Sequence, residues 1–111
     1  MRIAFFADIH ANREAFEACL QDAQERGHDR KVILGDVVGY GADPVWCTHQ
    51  VMGLQQSGAI VLRGNHDGAL TEGTEQMNDS ARTAMEWTAR QLSSDDIRYL
   101  TTLPLQHREE D

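Results

Sequence analysis

The chain has 111 residues, room for one ordinary domain that buries about two-thirds of its unfolded surface, and no room for a second full one. Its 18 acidic residues outweigh 10 basic ones, for a formal charge of −8 at pH 7. The overall field therefore repels nucleic acid and anionic membrane, and no direct nucleic-acid affinity is expected. A phosphate-bearing substrate would need local positive charge, which bound metal can supply.

The first element is a strand over residues 2–7, Arg2-Ile3-Ala4-Phe5-Phe6-Ala7, a nearly continuous apolar run of the kind buried on both sheet faces. It is expected to be the central strand. Its five apolar residues are fewer than the roughly 7–15 of a signal-peptide core, and Asp8 ends the run. No segment approaches the ~20 apolar residues of a membrane span, so a cytoplasmic protein with no membrane partner is expected. From Asn12 the period changes: Ala15, Phe16, Cys19, Leu20 and Ala23 recur at helical steps, with Asn12 as N-cap and Gly27 as stop.

Lys31 to Leu34 is the second strand. Gly35-Asp36-Val37-Val38-Gly39-Tyr40-Gly41 follows, a glycine-rich turn suited to close backbone approach. Asp43-Pro44 opens a second helix that runs to about Gln56, burying Val45, Val51, Met52 and Leu54. Ala59 to Leu62 is the third strand, ending at Arg63-Gly64-Asn65-His66-Asp67. Gly68 to Met77 reads as loop with at most a helical turn. Asn78 opens a third helix with Ala81, Met85, Thr88 and Leu92 inward, and Ser93 to Asp96 forms a capping box before a short helix carrying Ile97, Leu100 and Leu103. Pro104 stops it, and Leu105 to Asp111 is expected to fray. Cys19 and Cys47 lack finger or disulfide spacing and are expected to be buried thiols.

Strand–helix–strand–helix–strand is the grammar of an α/β fold with a parallel βαβαβ sheet flanked by helices. The carboxyl ends of the strands then share one edge, where open α/β sheets bind ligands. That edge would gather Asp8, His10, Asp36, Asn65, His66 and Asp67. In a strand the side chains alternate faces, so Asp8 and His10 are expected to point the same way past Ile9 and to hold one ion. Asp36 could bridge to a second ion, and Asn65 could bind it. Carboxylate, imidazole and amide oxygen suit Mn²⁺, Fe, Zn²⁺ or Ni²⁺. Two such ions, typically about 3.5–4 Å apart, polarise a phosphoryl group and activate water. The opposing reading is that these residues only cap helices and turns, as Asp and Asn after strands often do.

Asp8-x-His10, Gly35-Asp36-x-x-Gly39 and Gly64-Asn65-His66-Asp67 together resemble the first three motifs of the calcineurin-like metallophosphoesterases, most closely the small prokaryotic phosphoesterases. The resemblance implies that Asp8 and His10 bind the first metal, Asp36 bridges and Asn65 binds the second. It further implies that His66 acts beside the leaving-group oxygen, as proton donor or charge stabiliser, with Asp67 orienting its imidazole. Arg63 is a candidate phosphate clamp, with a surface salt bridge as its alternative. Ala11 departs from the glycine often found at that position.

The family completes its site with a later histidine and a Gly-His-x-His motif, and the chain carries neither. The resemblance thus covers residues 1–111 as the N-terminal half of such a domain, lacking the C-terminal sheet of the sandwich. A fragment of a chain about twice as long is expected, with one or no metal retained. The uncovered sheet face is expected to drive homo-oligomerisation. Two functions follow: a metal-dependent phosphomonoesterase or phosphodiesterase impaired by the missing ligands, or a catalytically silent metal-binding or oligomerisation module. His28 and His49 are expected at the surface, and His107 in the frayed tail is a remote substitute ligand. Trp46, Trp87, Tyr40 and Tyr99 are scattered, so they are expected to anchor core or interface rather than to form a base-stacking platform.

Overall fold

The computed structural model describes residues 1–109, and Glu110 and Asp111, part of the tail expected to fray, lie outside it. Three short parallel strands, β1 (Ile3–Phe6), β2 (Arg30–Ile33) and β3 (Ile60–Val61), stand in the order β1-β2-β3. Between them run α1 (Arg13–Arg26) and α2 (Pro44–Gln56), followed by α3 (Asn65–Glu72), α4 (Asp79–Gln91) and α5 (Ser94–Thr101). The architecture is the expected α/β fold.

The register explains which face the sheet buries. Phe6 pairs with Ile33 and Ile33 with Val61, forming one row across the sheet that is almost completely buried. Phe6 meets Phe16 of α1 edge-on at 5.9 Å between ring centroids. The adjacent row, Phe5, Val32 and Ile60, points to the other face, and there Phe5 is 62% exposed. The expectation that β1 is central and buried on both faces is therefore corrected. Among the described residues it is an edge strand, paired on one side only, and its second face has no covering layer.

The core behind the buried row is filled by Phe16, Val37, Cys47, Val51, Met85 and Leu100. All but Val37 come from helices. In α2 the buried positions are Pro44, Cys47, Thr48 and Val51, whereas Val45, Met52 and Leu54 are half-buried. Cys19, expected inside, is exposed.

Local chemistry sets the helix ends. The Asn12 and Asn78 side chains accept the N–H groups of Ala15 and Ala81 at 3.1 and 2.8 Å, satisfying donors that the first helical turn leaves free. Ser93 and Asp96 form the reciprocal capping box of α5. One element departs from expectation: α3 occupies the stretch from Asn65, where Gly68 and Gly73 suggested loop. Its first turn is held by the Asp67 carboxylate, which accepts the Gly64 N–H at 3.0 Å, and Gly73 ends it with a φ of 100°. Asn65, His66 and Asp67 are consequently not a loop after a strand but the opening turn of a helix. Residues 105–109 have no regular structure, although Glu109 pairs with Arg30. No helix among the described residues is long and apolar enough to cross a membrane.

Candidate metal centre

The loops after the three strands are tied together by backbone before any side chain acts. His10 N–H donates to the Asp36 carbonyl and Ala11 N–H to the Val37 carbonyl, both at 2.8 Å, while Gly41 N–H returns to the His10 carbonyl at 3.0 Å. Such close approach is possible only where side chains are missing. A Cβ on Gly64 would strike the backbone N and carboxylate of Asp36, and one on Gly35 would strike the Gly64 backbone. These two glycines are where the second and third loops touch.

This crossing forces unusual backbone. Asp8, His10, Ala11, Asp36 and Tyr40 all have positive φ, from 47° to 68°, a region that costs a non-glycine residue roughly 1–2 kcal/mol. Five such residues in one place mark a site that the surrounding fold must hold in strain. Ala11, standing where the resembled family often has glycine, is fully buried with a φ of 55°. The strand-alternation argument for Asp8 and His10 does not hold, because β1 stops at Phe6. The loop brings the two together all the same.

The side chains converge on Asp36. His10 Nε2 lies 3.5 Å from Asp8 Oδ1 and 3.9 Å from Asp36 Oδ2. His66 Nδ1 lies 3.5 Å from Asp36 Oδ1, and the His66 backbone N–H donates to the same oxygen at 3.0 Å. His10, Asp36 and His66 offer ligand atoms all within 4.8 Å of one another, a group that could hold a metal ion.

The end of the Asn65 amide lies 3.1 and 3.2 Å from the two Asp36 oxygens. With its nitrogen there it would donate to both; with its oxygen there, three oxygens face one another, an arrangement that a cation would stabilise. The amide orientation follows from whichever partner is present.

The tautomer of His10 follows from its neighbour. Its Nδ1 is 3.1 Å from the Val38 carbonyl, which only accepts, so Nδ1 carries the proton and Nε2 turns its lone pair toward Asp8 and Asp36. A second-sphere carbonyl of this kind commonly orients a metal-binding imidazole. The His66 side chain, 12% exposed, has no hydrogen-bond partner on either ring nitrogen among the described residues, Asp36 approaching no nearer than 3.5 Å. A buried imidazole without partners is costly unless a ligand or ion answers it.

Two roles drawn from resemblance are corrected. Asp67 does not orient His66. Its fully buried carboxylate accepts four backbone N–H groups: Asp36 at 2.9 Å and Gly64 at 3.0 Å on one oxygen, Val37 at 2.9 Å and Val38 at 3.3 Å on the other. Burial pushes its carboxyl up to about 6, against the N–H donors that favour the charged form. Arg63 donates to the Thr101 carbonyl at 3.1 Å and approaches Glu72 at 3.3 Å. The salt-bridge alternative describes it.

Tyr40, expected to anchor core or interface, belongs here instead. Its ring centroid is 5.2 Å from those of both His10 and His66, which are 4.8 Å apart. The glycines on either side of it signalled a special backbone but not where its ring would stand. His49 is exposed as expected, but it reaches Asp96 of α5 at 2.9 Å, an acid 47 positions away.

Comparison with known proteins agrees with this geometry. The family model for calcineurin-like phosphoesterases matches residues 1–109. A curated relative, an uncharacterised protein of Methanocaldococcus jannaschii, is 37% identical over 93% of the chain and 42% of its own length. The crystal structure of a metallophosphoesterase from Sphaerobacter thermophilus superposes over 100% of the chain and 44% of its own, with a TM-score of 0.78 and 38% identity. A hypothetical protein from Pyrococcus horikoshii shares the fold at a TM-score of 0.81 and 22% identity, over 93% of the chain and 48% of its own. The chain thus spans somewhat under half the length of these relatives. With three ordered motifs meeting at one strand edge and a family match along nearly the whole sequence, the chain belongs to the calcineurin-like phosphoesterase family.

Proposed function

We propose that the site serves metal-dependent hydrolysis of a phosphomonoester or phosphodiester, with Asp8, His10, Asp36 and Asn65 as the residues that hold divalent ions. The observation that carries this reading is the meeting of His10, Asp36 and His66 ligand atoms within 4.8 Å, with Asp8 and the Asn65 amide beside them. The donor set is mixed oxygen and imidazole, which fits Mn²⁺, Fe, Zn²⁺ or Ni²⁺, and the unanswered His66 nitrogens fit a polar occupant. When bound, such ions would polarise the phosphoryl group and activate water.

The remaining work falls to the chain. Asp8 and Asp36 each bring a carboxylate oxygen near the His10 Nε2 atom, at 3.5 and 3.9 Å, so a cation among them is favoured at close range. Asp36, in reach of His10, Asn65 and His66, is the residue placed to serve two ion positions. His66, with both ring nitrogens unengaged, can give a proton to the departing oxygen or stabilise its charge. Asp67 acts through backbone, fixing the loop that carries Asp36. Substrate charge would be met by the ions rather than by Arg63. A cytoplasmic setting and an N-terminal half-domain of 1–111 complete the reading.

A second reading rests on the share of the relatives that the chain covers, between 42% and 48%. The half-domain would then bind metal weakly, without turnover, and self-associate through the open face that exposes Phe5. Mn²⁺-stimulated cleavage of an aryl phosphodiester such as bis(p-nitrophenyl) phosphate separates the two. The hydrolase reading requires activity that falls to background in Asp36→Asn, and wild-type turnover no faster than that variant's rejects it.

A further inference from the structure

Tyr40 is an aromatic residue held where an aromatic residue is costly. Its φ of 68° is left-handed, which for a bulky side chain signals strain that the surroundings impose. The imposing contacts are its neighbours. Gly41 N–H binds the His10 carbonyl at 3.0 Å and the Gly39 carbonyl at 2.8 Å, and a Cβ on Gly41 would collide with the His10 carbonyl. At this crossing the Tyr40 ring stands beside the two imidazoles, 5.2 Å from each between centroids.

The residue is nevertheless 55% exposed. It meets His10 edge to face, with an interplanar angle of 72°, and His66 at a tilt of 54°. A ring whose purpose was packing would be expected to bury more of itself. Instead, an exposed aromatic residue stands beside the cluster of His10, Asp36 and His66. Its closest ring neighbours include His66, the group assigned to the departing oxygen.

We infer that Tyr40 is the platform of a leaving-group subsite, stacking a planar aromatic group attached to the phosphoryl centre. The inference rests on the proposed placement of the phosphoryl end among Asp8, His10, Asp36 and Asn65. It adds the class of group on the other side of the scissile bond, an aryl or heteroaryl ring rather than an alkyl chain. Stacking tolerates many ring types because each has a π face, so the subsite selects for planarity and not for one hydrogen-bonding pattern. Tyr40 acts here as a specificity residue, and its hydroxyl is dispensable.

The test uses two non-hydrolysable probes, phenylphosphonate and methylphosphonate, titrated calorimetrically into the Mn²⁺-loaded chain. Wild type is expected to bind phenylphosphonate about tenfold or more tightly than methylphosphonate, the scale of one stacked ring. Tyr40→Phe should keep that ratio. Tyr40→Asn, chosen because asparagine tolerates left-handed backbone, should reduce it to below about twofold while its circular dichroism spectrum matches wild type. Equal affinity for the two probes in wild type, or a preference that persists in Tyr40→Asn, overturns the subsite. Failure to bind either phosphonate would instead remove the phosphoryl site itself, and the subsite with it.

Discussion

Asp67 and Asp36 hold each other's loops. The Asp67 carboxylate accepts the Asp36 N–H at 2.9 Å, and the Asp36 carboxylate accepts the N–H of His66, the residue before Asp67, at 3.0 Å. One acid is wholly buried and spent on backbone; the other faces the cup. The second and third motifs are thus a single mechanical unit. Replacing Asp67 by Ala would leave the N–H groups of Gly64, Asp36, Val37 and Val38 without their acceptor. At about 1–3 kcal/mol for each buried unsatisfied donor, partly relieved by water, a loss of at least ~3 kcal/mol in urea unfolding is expected. A loss below ~1 kcal/mol would mean that this anchor is redundant.

Asp96 makes a prediction in acid. Burial alone would push its carboxyl up, but the Ser93 N–H and hydroxyl and the His49 imidazole outweigh that and hold it below the ordinary carboxylate range. A carboxyl depressed in the folded state contributes stability above its unfolded value, near 3.9, and loses it as pH falls through the folded one. Asp96→Ala should therefore cost about 1–2 kcal/mol at pH 7, typical of a lost cap with a partner. The gap to wild type should narrow toward pH 3 in denaturant titrations. A gap of constant size would assign the cost to packing instead.

The two thiols should separate cleanly. Cys47 is fully buried, and burial pushes its thiol up to about 12, whereas Cys19 is exposed on α1. Because the thiolate is the reactive form, a disulfide reagent at pH 8 should label one cysteine per native chain and two in denaturant. Rapid labelling of both in the native protein would contradict the burial of α2.

The open face of β1 carries a prediction about assembly. Ile3 and Phe5, 39% and 62% exposed, lie on a strand whose outer edge is unpaired among the described residues. Apolar surface and an open edge together favour association. Sedimentation of the chain should show a dimer or larger species, shifted toward monomer by Phe5→Lys. A wild-type chain sedimenting as a monomer at high micromolar concentration would remove self-association.

The sequence made the fold legible because its signals were local. Apolar runs named the strands, and Asn12, Asn78 and Ser93 named the helix starts, as their side-chain bonds bear out. The position of β1 in the sheet was not legible, since strand order depends on which neighbours exist. Nor was α3, because Gly68 and Gly73 lower helix propensity while the buried Asp67 that organises its first turn acts through space. At the site, the motifs picked out the residues that converge. What they could not give was what each carboxylate faces: Asp67 and Asp36 are both acids beside glycine, and only the folded loops decide which is spent on N–H groups. The role of Tyr40 was hidden for the same reason, its position being set by a loop crossing rather than by any spacing.

The account stands most directly on metal binding by the four motif residues. Isothermal titration of Mn²⁺ into the wild-type chain, Asp8→Ala and Asp36→Asn tests it, with thermal melts confirming that each variant is folded. Asp8 is the sharper probe, since its side chain is 72% exposed and its loss leaves the core untouched. Saturable binding in wild type, weakened at least about tenfold in both variants, is the predicted result, in line with the cost of disturbing metal-site residues. Affinity and stoichiometry unchanged across all three proteins would contradict the account.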